Sequence, residues 1–332
     1  LLAIDADVLG LAELENDFLP GSSGNAIENL VNELNGVAGA GTYNWVNPGT
    51  QFVGTDAIAV GLIYKVSAVS LVGDAAILNT QAFLDPNNTG ENRNRPTVAQ
   101  TFRDLVTGET FTAVVNHFKS KGASGLTAGD AGNPDSDQND GQGFWNDTRT
   151  KAAQELVTWL NTNPTGVNDS DYLLLGDYNA YAQEDPIKAL ESAGYVNLGA
   201  QFGSGTNTSY VFDGQTGTLD YAFASASLAA QVTGATEWGI NADEADVLDY
   251  NLDFGRDVNI FDGTVPYRSS DHDPIIVGLN LASPVDPIAN EIGVMVENGF
   301  FFVQLPGGDE VQLKFNNQPF ASNTIGNWQI LE

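Results

Sequence analysis

Short apolar runs alternate with amphipathic stretches along most of the chain. Eight of the runs have the length and β-branched content typical of strands: DVLGLAEL, AIAVGLIYK, VSLVGDAAIL, TVAQTFRDLV, TFTAVVNH, DYLLLGD, TLDYAFA and PIIVGLNL. Three stretches with apolar residues three and four positions apart are predicted helices: residues 25–36, 146–161 and 184–194. We expect Asn146 or Asp147 to cap the second helix and Gly194 to end the third.

The order of these elements favours a mixed α/β sandwich, of the α+β kind. The segment DLVTGETFTAVV, with Thr107 and Gly108 near its centre, predicts a hairpin, so part of the sheet is expected to be antiparallel. Strands that form hairpins and also alternate with helices argue against a doubly wound parallel sheet. The sequence contains neither familiar type of glycine-rich phosphate loop.

The composition changes after Leu281, at the segment ASPVDP. We therefore expect a main domain over residues 1–282 and a short β-rich C-terminal appendage over residues 283–332. No apolar run approaches the roughly 20 residues that a membrane helix needs, so no membrane span is expected. The first residues contain no start methionine, basic leader or cleavage site, and they are not interpreted as an intact signal peptide.

The chain is strongly acidic, with 43 acidic residues, 12 basic residues and a formal net charge of −31. Such a surface fits a high-salt environment, in which charges are screened within a few ångströms, so we expect a secreted protein of marine or halophilic origin. This charge would repel a phosphodiester, whose binding would need divalent cations and a local basic region. Most of the lysines and arginines lie between residues 65 and 151 and are the candidates for that region. The absence of cysteine excludes disulfides and cysteine-based zinc sites.

The only two histidines each stand at the end of an apolar run, His117 in FTAVVNHFKSKG and His272 in YRSSDHDPIIVGL. Histidine is the side chain whose ordinary pKa lies closest to neutrality, so both are candidates for proton transfer. For either one alone, an ordinary surface or core position is the favoured interpretation. Two further strand ends, YLLLGDYNAY and VLGLAELEN, also carry polar residues, and four such segments together favour one polar site where strands leave the core.

Carboxylates at these strand ends are candidate metal ligands. Asp177 and Asn179 lie two residues apart and therefore share a face of an extended chain, and the same spacing holds for Glu13 and Glu15. Carboxylate oxygens from two strands are typical ligands of Mg²⁺ or Mn²⁺. Asp220, which interrupts another apolar run, is the candidate carboxylate for orienting a histidine ring.

Residues 123–147 have no apolar period and predict a long acidic loop. Four of its residues resemble part of a calcium-binding loop: Asp135, Asp137, Asn139 and Asp140. The glycine that follows is one position late, and the glutamate expected at the twelfth position is missing. A solvated loop is the favoured interpretation, and a calcium-ordered loop is the alternative.

Five segments, in this order and spacing, resemble the endonuclease/exonuclease/phosphatase superfamily, which includes the deoxyribonuclease-I-like enzymes: GLAELEN, HFKSKG, LLLGDYNAY, LDYAFAS and SSDHDPI. The closer likeness is to the bacterial extracellular nucleases of that superfamily, and it covers roughly residues 5–281. The resemblance implies a four-layer αββα sandwich of two mixed β-sheets flanked by helices, with a metal-dependent phosphodiesterase site at one rim. The family opens with a strand that carries a metal-associated asparagine, and this first strand is expected to be missing here.

The resemblance also implies roles for individual residues. Glu13 would be a metal carboxylate, Asp177 would bind metal or activate water, and Asp271 would be a further metal-site or phosphate-site residue. His272, oriented by Asp220, would be the general base or a stabiliser of the transition state.

The remaining roles concern the phosphate. His117 would contact phosphate or protonate the leaving oxygen, with Asp56 as its orienting carboxylate, and Asn179 would donate to the scissile phosphate. Three cations are candidate phosphate or nucleic-acid contacts: Arg95, the less favoured Arg93, and Lys119, for which an ordinary surface position is the alternative.

The leading functional hypothesis is a secreted nuclease that depends on Mg²⁺ or Mn²⁺, with Ca²⁺ as a further candidate, and hydrolyses DNA or, as a second candidate, RNA. A phosphatase or a sphingomyelinase-like phospholipase of the same fold is the runner-up. A catalytically idle binding protein is the third hypothesis. Nucleic acid is the expected partner, and no obligate protein partner is predicted.

Overall fold

A mixed six-stranded β-sheet organises the structure, a computed structural model that describes residues 1–203, 208–245, 248, 259, 265 and 268–281 together with four later strands. The chain divides into two units, Leu1–Leu281 and Ala282–Glu332. The strands of the first unit are β1 (Val8–Glu15), β2 (Tyr43–Trp45), β3 (Ile58–Lys65), β4 (Val69–Leu78), β5 (Leu84–Asp85), β6 (Asn88–Asn92), β7 (Arg95–Asp104), β8 (Thr110–His117), β9 (Tyr172–Asp177), β10 (Val196–Asn197), β11 (Tyr210–Phe212), β12 (Gln215–Gly217), β13 (Asp220–Ala224), β14 (Val232–Glu237) and β15 (Ile275–Leu279). Its helices are α1 (Ala26–Ala38), α2 (Asn146–Leu160), α3 (Asp185–Ser192), α4 (Leu198–Phe202) and α5 (Ala226–Ala229), with a 3₁₀ helix at Gln81–Phe83.

The six-stranded sheet has the order β10-β13-β9-β8-β7-β4. Its neighbours are antiparallel except for β8 and β9, which run parallel. A parallel pair needs a crossover connection, and α2 lies in the one between these two strands. A three-stranded antiparallel sheet, β1-β3-β2, faces the larger sheet, and three strand pairs, β5-β6, β11-β12 and β14-β15, complete the unit.

Alternation of side chains along the central strands produces two hydrophobic cores. Val115 of β8 belongs to the core between the two sheets, and its neighbour Val114 belongs to the core beneath α2 and α3. β8 is buried on both faces and therefore has adjacent apolar residues, Ala113, Val114 and Val115.

Glycine allows the two sheets to approach each other. A Cβ atom at Gly10 would lie 2.9 Å from the Val115 side chain of the facing sheet, whereas a Cβ atom at the neighbouring register position, Gly61, would meet Ile27 of α1. The smaller sheet thus has α1 on one face and the six-stranded sheet on the other. With α2 and α3 beyond the larger sheet, the layers form the predicted αββα sandwich.

The predicted elements are present, with one difference in a helix cap. All eight strand candidates form strands, the β7–β8 hairpin is antiparallel, α2 and α3 lie within the expected segments, and α1 ends at Ala38, two residues beyond its expected end. The N-cap of α2 is Trp145 rather than Asn146 or Asp147. The capping carboxylate comes from Asp135, which accepts hydrogen bonds from the backbone nitrogen (2.8 Å) and the hydroxyl (2.7 Å) of Thr148.

The second unit contains a four-stranded antiparallel sheet, in the order β16 (Gly293–Glu297), β17 (Phe300–Gln304), β18 (Glu310–Phe315) and β19 (Trp328–Ile330). Among the described residues, no helix has both the length and the apolar character needed to cross a membrane.

Candidate active site

Three of the predicted site residues lie together where central strands of the six-stranded sheet begin or end, which we call the site edge. The parallel strands β8 and β9 both end there, and their last residues, His117 and Asp177, are register partners. Strand β13 begins at the same edge, where Asp220 is the partner of Asp177. Gly176, at φ +127°, permits the close approach of β9 to β8, because a Cβ atom would collide with the Asn116 backbone. Register therefore places the three side chains on adjacent strands.

His272 reaches this edge from the segment before β15. Its Nδ1 atom lies 2.6 Å from Asp220 Oδ2, so the two residues that the sequence analysis paired are in contact. Potential ligand atoms of Asp177, Asp220 and His272 all lie within 4.8 Å of one another. Among the described residues, neither Glu13 nor Asp271 belongs to this three-residue group, although both were predicted metal ligands.

Glu13 approaches the same place from the smaller sheet. It lies within an irregularity in the pairing of β1 with β3 and has a left-handed backbone, at φ +59°. A bulge of this kind redirects a side chain. Glu13 Oε1 lies 3.9 Å from Nε2 of the buried His117, while 60% of the Glu13 side chain remains exposed. The two sheets thus contribute to one site.

His117 lies between carboxylates and a cation. Its Nε2 atom is 3.5 Å from Asp177 Oδ2 and 3.5 Å from an Arg95 guanidinium nitrogen. The ring is buried, and its Nδ1 atom has no hydrogen-bond partner among the described residues.

The prediction that Asp56 orients His117 is therefore wrong. Asp56 Oδ2 lies 2.9 Å from Nε of Arg95 and forms an ion pair with it. The same guanidinium reaches the His117 ring, so Arg95 lies between the two residues that were expected to be in contact.

Asn179 holds Asp177 in place. At φ +48° its backbone nitrogen donates to Asp177 Oδ1 (2.7 Å), and its side-chain amide donates to Asp177 Oδ2 (2.6 Å) and to the Phe118 carbonyl (3.0 Å). Both amide hydrogens have acceptors, so this geometry leaves none for a phosphate. The predicted phosphate-donating role is corrected to one of positioning Asp177.

A group of cations lies beside His117. Lys119 is buried, bonds Ser120, and lies 5.5 Å from the centre of the Trp145 ring, while Arg93 lies 5.4 Å from the same ring. Burial, followed by the charges of Arg95, Arg93 and Arg149, lowers the pKa of Lys119 to about 8. An additional anion would relieve this repulsion.

Not every cation of the basic segment contributes to this group. Arg103 is paired with Thr110 at the opposite end of the β7–β8 hairpin from Arg95. Lys65 forms ion pairs with Asp5 and Asp7. Only some of the cations that are close together in the sequence are therefore close together in the folded protein.

The three aspartates of the candidate calcium loop serve other purposes. Asp135 caps α2, Asp137 Oδ1 accepts from the backbone of Asn139, and Asp140 Oδ1 accepts from that of Gln142. Their oxygens stabilise turns and a helix end, and they are not among the convergent metal-ligand groups of the described residues. The structure thus favours the solvated-loop interpretation over the calcium-ordered alternative.

The two histidines have opposite charge preferences. Burial, with the charges of Arg95, His272 and Lys119, lowers the pKa of His117 to about 3. Burial also lowers the pKa of His272, but the charge and hydrogen bond of Asp220, with Asp177 and Asp271, outweigh it and raise this pKa to about 10. At neutral pH, His117 is neutral and His272 is an imidazolium paired with Asp220.

The site fits a divalent cation. Burial, followed by the charge of Asp220, raises the pKa of Asp177 well above its usual range. A cation between these groups would offset that repulsion and displace the proton from Asp177. The carboxylates of Asp177 and Asp220, with Glu13 at the rim, are ligand types that Mg²⁺ and Mn²⁺ accept.

Tyr210 is a site residue that the sequence analysis missed. Its ring lies 4.6 Å from that of His272 at an interplanar angle of 30°, and the two residues form an isolated β-bridge. The available signal was the hairpin pattern YVFDGQTG, in which Asp213 and Gly214 form a tight turn.

Residues 1–272 match the Endonuclease/Exonuclease/phosphatase family, and the chain belongs to that family. A mannosyl-6-phosphatase of Bacteroides thetaiotaomicron is a structural neighbour with a TM-score of 0.51 and 15% identity, over 84% of this chain and 87% of that one. A family member from Bacteroides vulgatus has a TM-score of 0.51 and 14% identity over the same shares, 84% and 87%. No curated protein sequence matches the chain significantly. At these identities the neighbours establish the fold, and the family establishes a phosphoester hydrolase.

Proposed function

We propose that this protein is a secreted, divalent-metal-dependent nuclease that hydrolyses DNA, with RNA as the second candidate substrate. The observation that carries the proposal is the convergence of Asp177, Asp220 and His272 within 4.8 Å at one sheet edge. Neutral His117 and exposed Glu13 adjoin this group. Secretion is supported by the net charge of −31, which suits a salty exterior.

The His272–Asp220 pair would stabilise the negative charge that grows on a phosphate in the transition state. An imidazolium whose pKa is about 10 is a poor base at neutral pH but a strong hydrogen-bond donor. Asp220 holds Nδ1, so Nε2 is the nitrogen that can face the phosphate. Of the two roles expected for His272, the stabilising role is the better supported.

His117 would act as a hydrogen-bonding group. With a pKa of about 3, His117 is a neutral imidazole in the ligand-free protein and has no acidic proton to give to a leaving oxygen. Arg95 donates toward its Nε2 atom and can contact the same phosphate. We therefore assign His117 and Arg95 to phosphate binding, with Lys119 as the neighbouring contact for the nucleic-acid backbone. Arg93 is the less favoured contact, because it forms an ion pair with the buried Asp85.

Asp177 and Asp220 would hold the cation, with Glu13 contributing from the rim, while His272 faces the phosphate. Mg²⁺ or Mn²⁺, when bound, supplies positive charge to the phosphate and lowers the pKa of water. Ca²⁺ is the third candidate. Asn179 fixes both oxygens of Asp177 and so determines where this carboxylate can accept a ligand or a proton.

The proposal is tested by nicking of supercoiled plasmid with each of the three cations and with chelator. We expect nicking that chelator abolishes and that His272→Gln lowers by about 10²- to 10⁴-fold, the range for a positioned imidazole in catalysis. Asp74→Asn, an exposed carboxylate on β4, is the control and should leave the rate unchanged.

The runner-up activities belong in the same experiment. Mannose 6-phosphate, an inositol phosphate and sphingomyelin are offered in parallel to the wild-type protein. Turnover of one of these with intact plasmid would replace the nuclease proposal by a phosphatase or phospholipase. A folded protein that turns over no substrate under any cation would favour the idle binding protein.

A further inference from the structure

The β11–β12 hairpin is attached directly to the proposed site. Tyr210 forms a backbone bridge with His272 and stacks on its ring. The neighbouring Ser209 hydroxyl accepts hydrogen bonds from the backbone nitrogens of Leu219 (3.0 Å) and Asp220 (3.1 Å). Both members of the His272–Asp220 pair are thus fixed to this hairpin.

Phe212 extends the aromatic surface away from His272. Residues two apart on a strand share a face, so Phe212 projects from the same face of the hairpin as Tyr210. It is 65% exposed, which leaves most of its surface in contact with water. Asp213 and Gly214 have φ values of +49° and +72°, as a tight two-residue turn requires, so the hairpin is short.

The Tyr181 ring adds to this surface where it contacts Gly217 of β12. Gly217 is the cross-strand partner of Tyr210, and a Cβ atom at Gly217 would collide with the Tyr181 ring. The Tyr181 ring therefore occupies the position of the missing side chain, on the Tyr210 face. Lys121 Nζ lies 5.0 Å from the centre of the same ring. We call Tyr181, Tyr210 and Phe212 the aromatic ledge.

We propose that the aromatic ledge binds an unpaired nucleobase next to the scissile phosphate, so that the protein acts preferentially on single-stranded nucleic acid. This inference rests on the proposed nuclease function. Aromatic side chains stack on any base, because every base has a π-face. A base inside a duplex has both faces covered by its neighbours and cannot stack on Phe212 unless it leaves the helix.

The composition of the hairpin favours a base over a lipid as the occupant. A membrane-binding element presents several apolar residues together. Here the exposed end of the hairpin contains Asp213, Gly214 and Gln215, and Phe212 is its one exposed large apolar residue. A single exposed aromatic ring, on the strand that contacts His272, offers a face to one base but little apolar surface to a bilayer.

The first test compares cleavage of three labelled substrates: single-stranded oligothymidylate, the same strand in a duplex, and a strand of equal length made of abasic residues. We expect the wild-type protein to prefer the single strand over the duplex. Phe212→Ala should lower kcat/KM on the single strand tenfold or more, as removal of one stacked base does, and leave the abasic strand unaffected. Phe212→Trp should retain activity.

Val106→Ala is the matched control. Val106 is 92% exposed and lies in the β7–β8 turn, at the opposite end of the hairpin from His117, so it should change none of these rates. An equal loss on abasic and normal strands after Phe212→Ala, or no loss on either, would overturn the base-binding role.

The second test measures binding without catalysis. A short oligothymidylate with one central 2-aminopurine is titrated in chelator, and stacking on the ledge should quench its fluorescence. Quenching should persist in Phe212→Trp and be lost in Phe212→Ala. Phe212-dependent binding to vesicles of equimolar phosphatidylcholine and sphingomyelin, without quenching, would assign the ledge to a membrane and contradict the inference.

The two tests separate the two proposals. If no nucleic acid is cleaved but quenching depends on Phe212, the nuclease proposal fails and the ledge remains a base-binding surface. If Phe212→Ala cleaves every strand at the wild-type rate, the base-binding role of the aromatic ledge is refuted and the nuclease proposal stands.

Discussion

At neutral pH His117 is neutral and His272 is positively charged, although both lie beside Asp177. The difference arises from their partners, since His117 is buried next to Arg95 and His272 is paired with Asp220. One site therefore contains a neutral imidazole that suits hydrogen bonding and an imidazolium that suits charge stabilisation.

This difference predicts how stability depends on pH in chelator. The folded state binds the His272 proton more tightly than the unfolded state does, so its contribution is full below about pH 6.5 and is lost as the pH rises toward 10. The folded state disfavours the His117 proton, so that contribution is present above about pH 6.5 and is lost as the pH falls toward 3. The free energy of unfolding should therefore decrease both as the pH rises above about 6.5 and as it falls below about 6.5.

Two variants separate the alkaline and the acid parts of this pH dependence, which we call its alkaline and acid limbs. The free energy of unfolding in urea is measured for each variant across pH. His272→Gln should flatten the alkaline limb, though only in part, because the raised pKa of Asp177 acts in the same direction. His117→Gln should flatten the acid limb. Limbs that are unchanged, or exchanged between the variants, would contradict these charge assignments.

At the scale of the element, the bulge in β1 decides which glutamate reaches the site. Glu13 lies at the irregularity and approaches His117, whereas Glu15 is paired regularly with Ile58. Glu13→Gln should weaken Mn²⁺ binding, measured by calorimetry, by tenfold or more, the scale found for residues that support metal ligands. Glu15→Gln is the matched control, and an equal effect of both variants would remove Glu13 from the metal site.

Asp135 in the acidic loop caps α2, so its loss should lower stability. Asp135→Ala removes the acceptor for Thr148 at the start of α2 and should lower the free energy of unfolding by about 1–2 kcal/mol, as loss of a helix cap does. Asp137→Ala, which loses only a local turn contact, should cost less. If added Ca²⁺ raises the melting temperature of the wild type but not of these variants, the calcium-loop alternative is the correct one.

The sequence predicts the elements better than it predicts their contacts. Strands such as β8 and β9 are identifiable because each contains a short run of adjacent apolar residues, AVV in β8 and YLLL in β9. Strand β14, with the sequence VTGATE, was missed because small and polar residues obscure its pattern, and its pairing with β15 supplies the structure. Local periodicity specifies a strand, but pairing depends on residues far away in the chain.

The same limit applies to the site. His117, Asp177 and Asp220 could be predicted as strand-end residues, and register then brings them together. The roles of Asp56 and Asn179 could not, because loop conformation decided that Asp56 pairs with Arg95 and Asn179 with Asp177.

At the scale of the whole molecule, the net charge of −31 should make stability depend on salt. The screening length falls from about 10 Å at 0.1 M salt to about 3 Å at 1 M, which weakens the repulsion among surface carboxylates. The melting temperature at pH 7 should therefore rise with NaCl over this range. The increase should largely disappear near pH 4, where many carboxylates are protonated, and a melting temperature insensitive to salt at pH 7 would contradict the high-salt interpretation.

The central claim is that carboxylates and imidazoles from distant parts of the chain form one divalent-cation site. Anomalous diffraction from a crystal soaked in Mn²⁺ tests it most directly. We predict a strong peak at coordination distance, about 2.0–2.6 Å, from an oxygen of Asp177 and within reach of Asp220. Mn²⁺ bound only elsewhere, such as on the loop of Asp137 and Asp140, with none beside Asp177, would contradict the account.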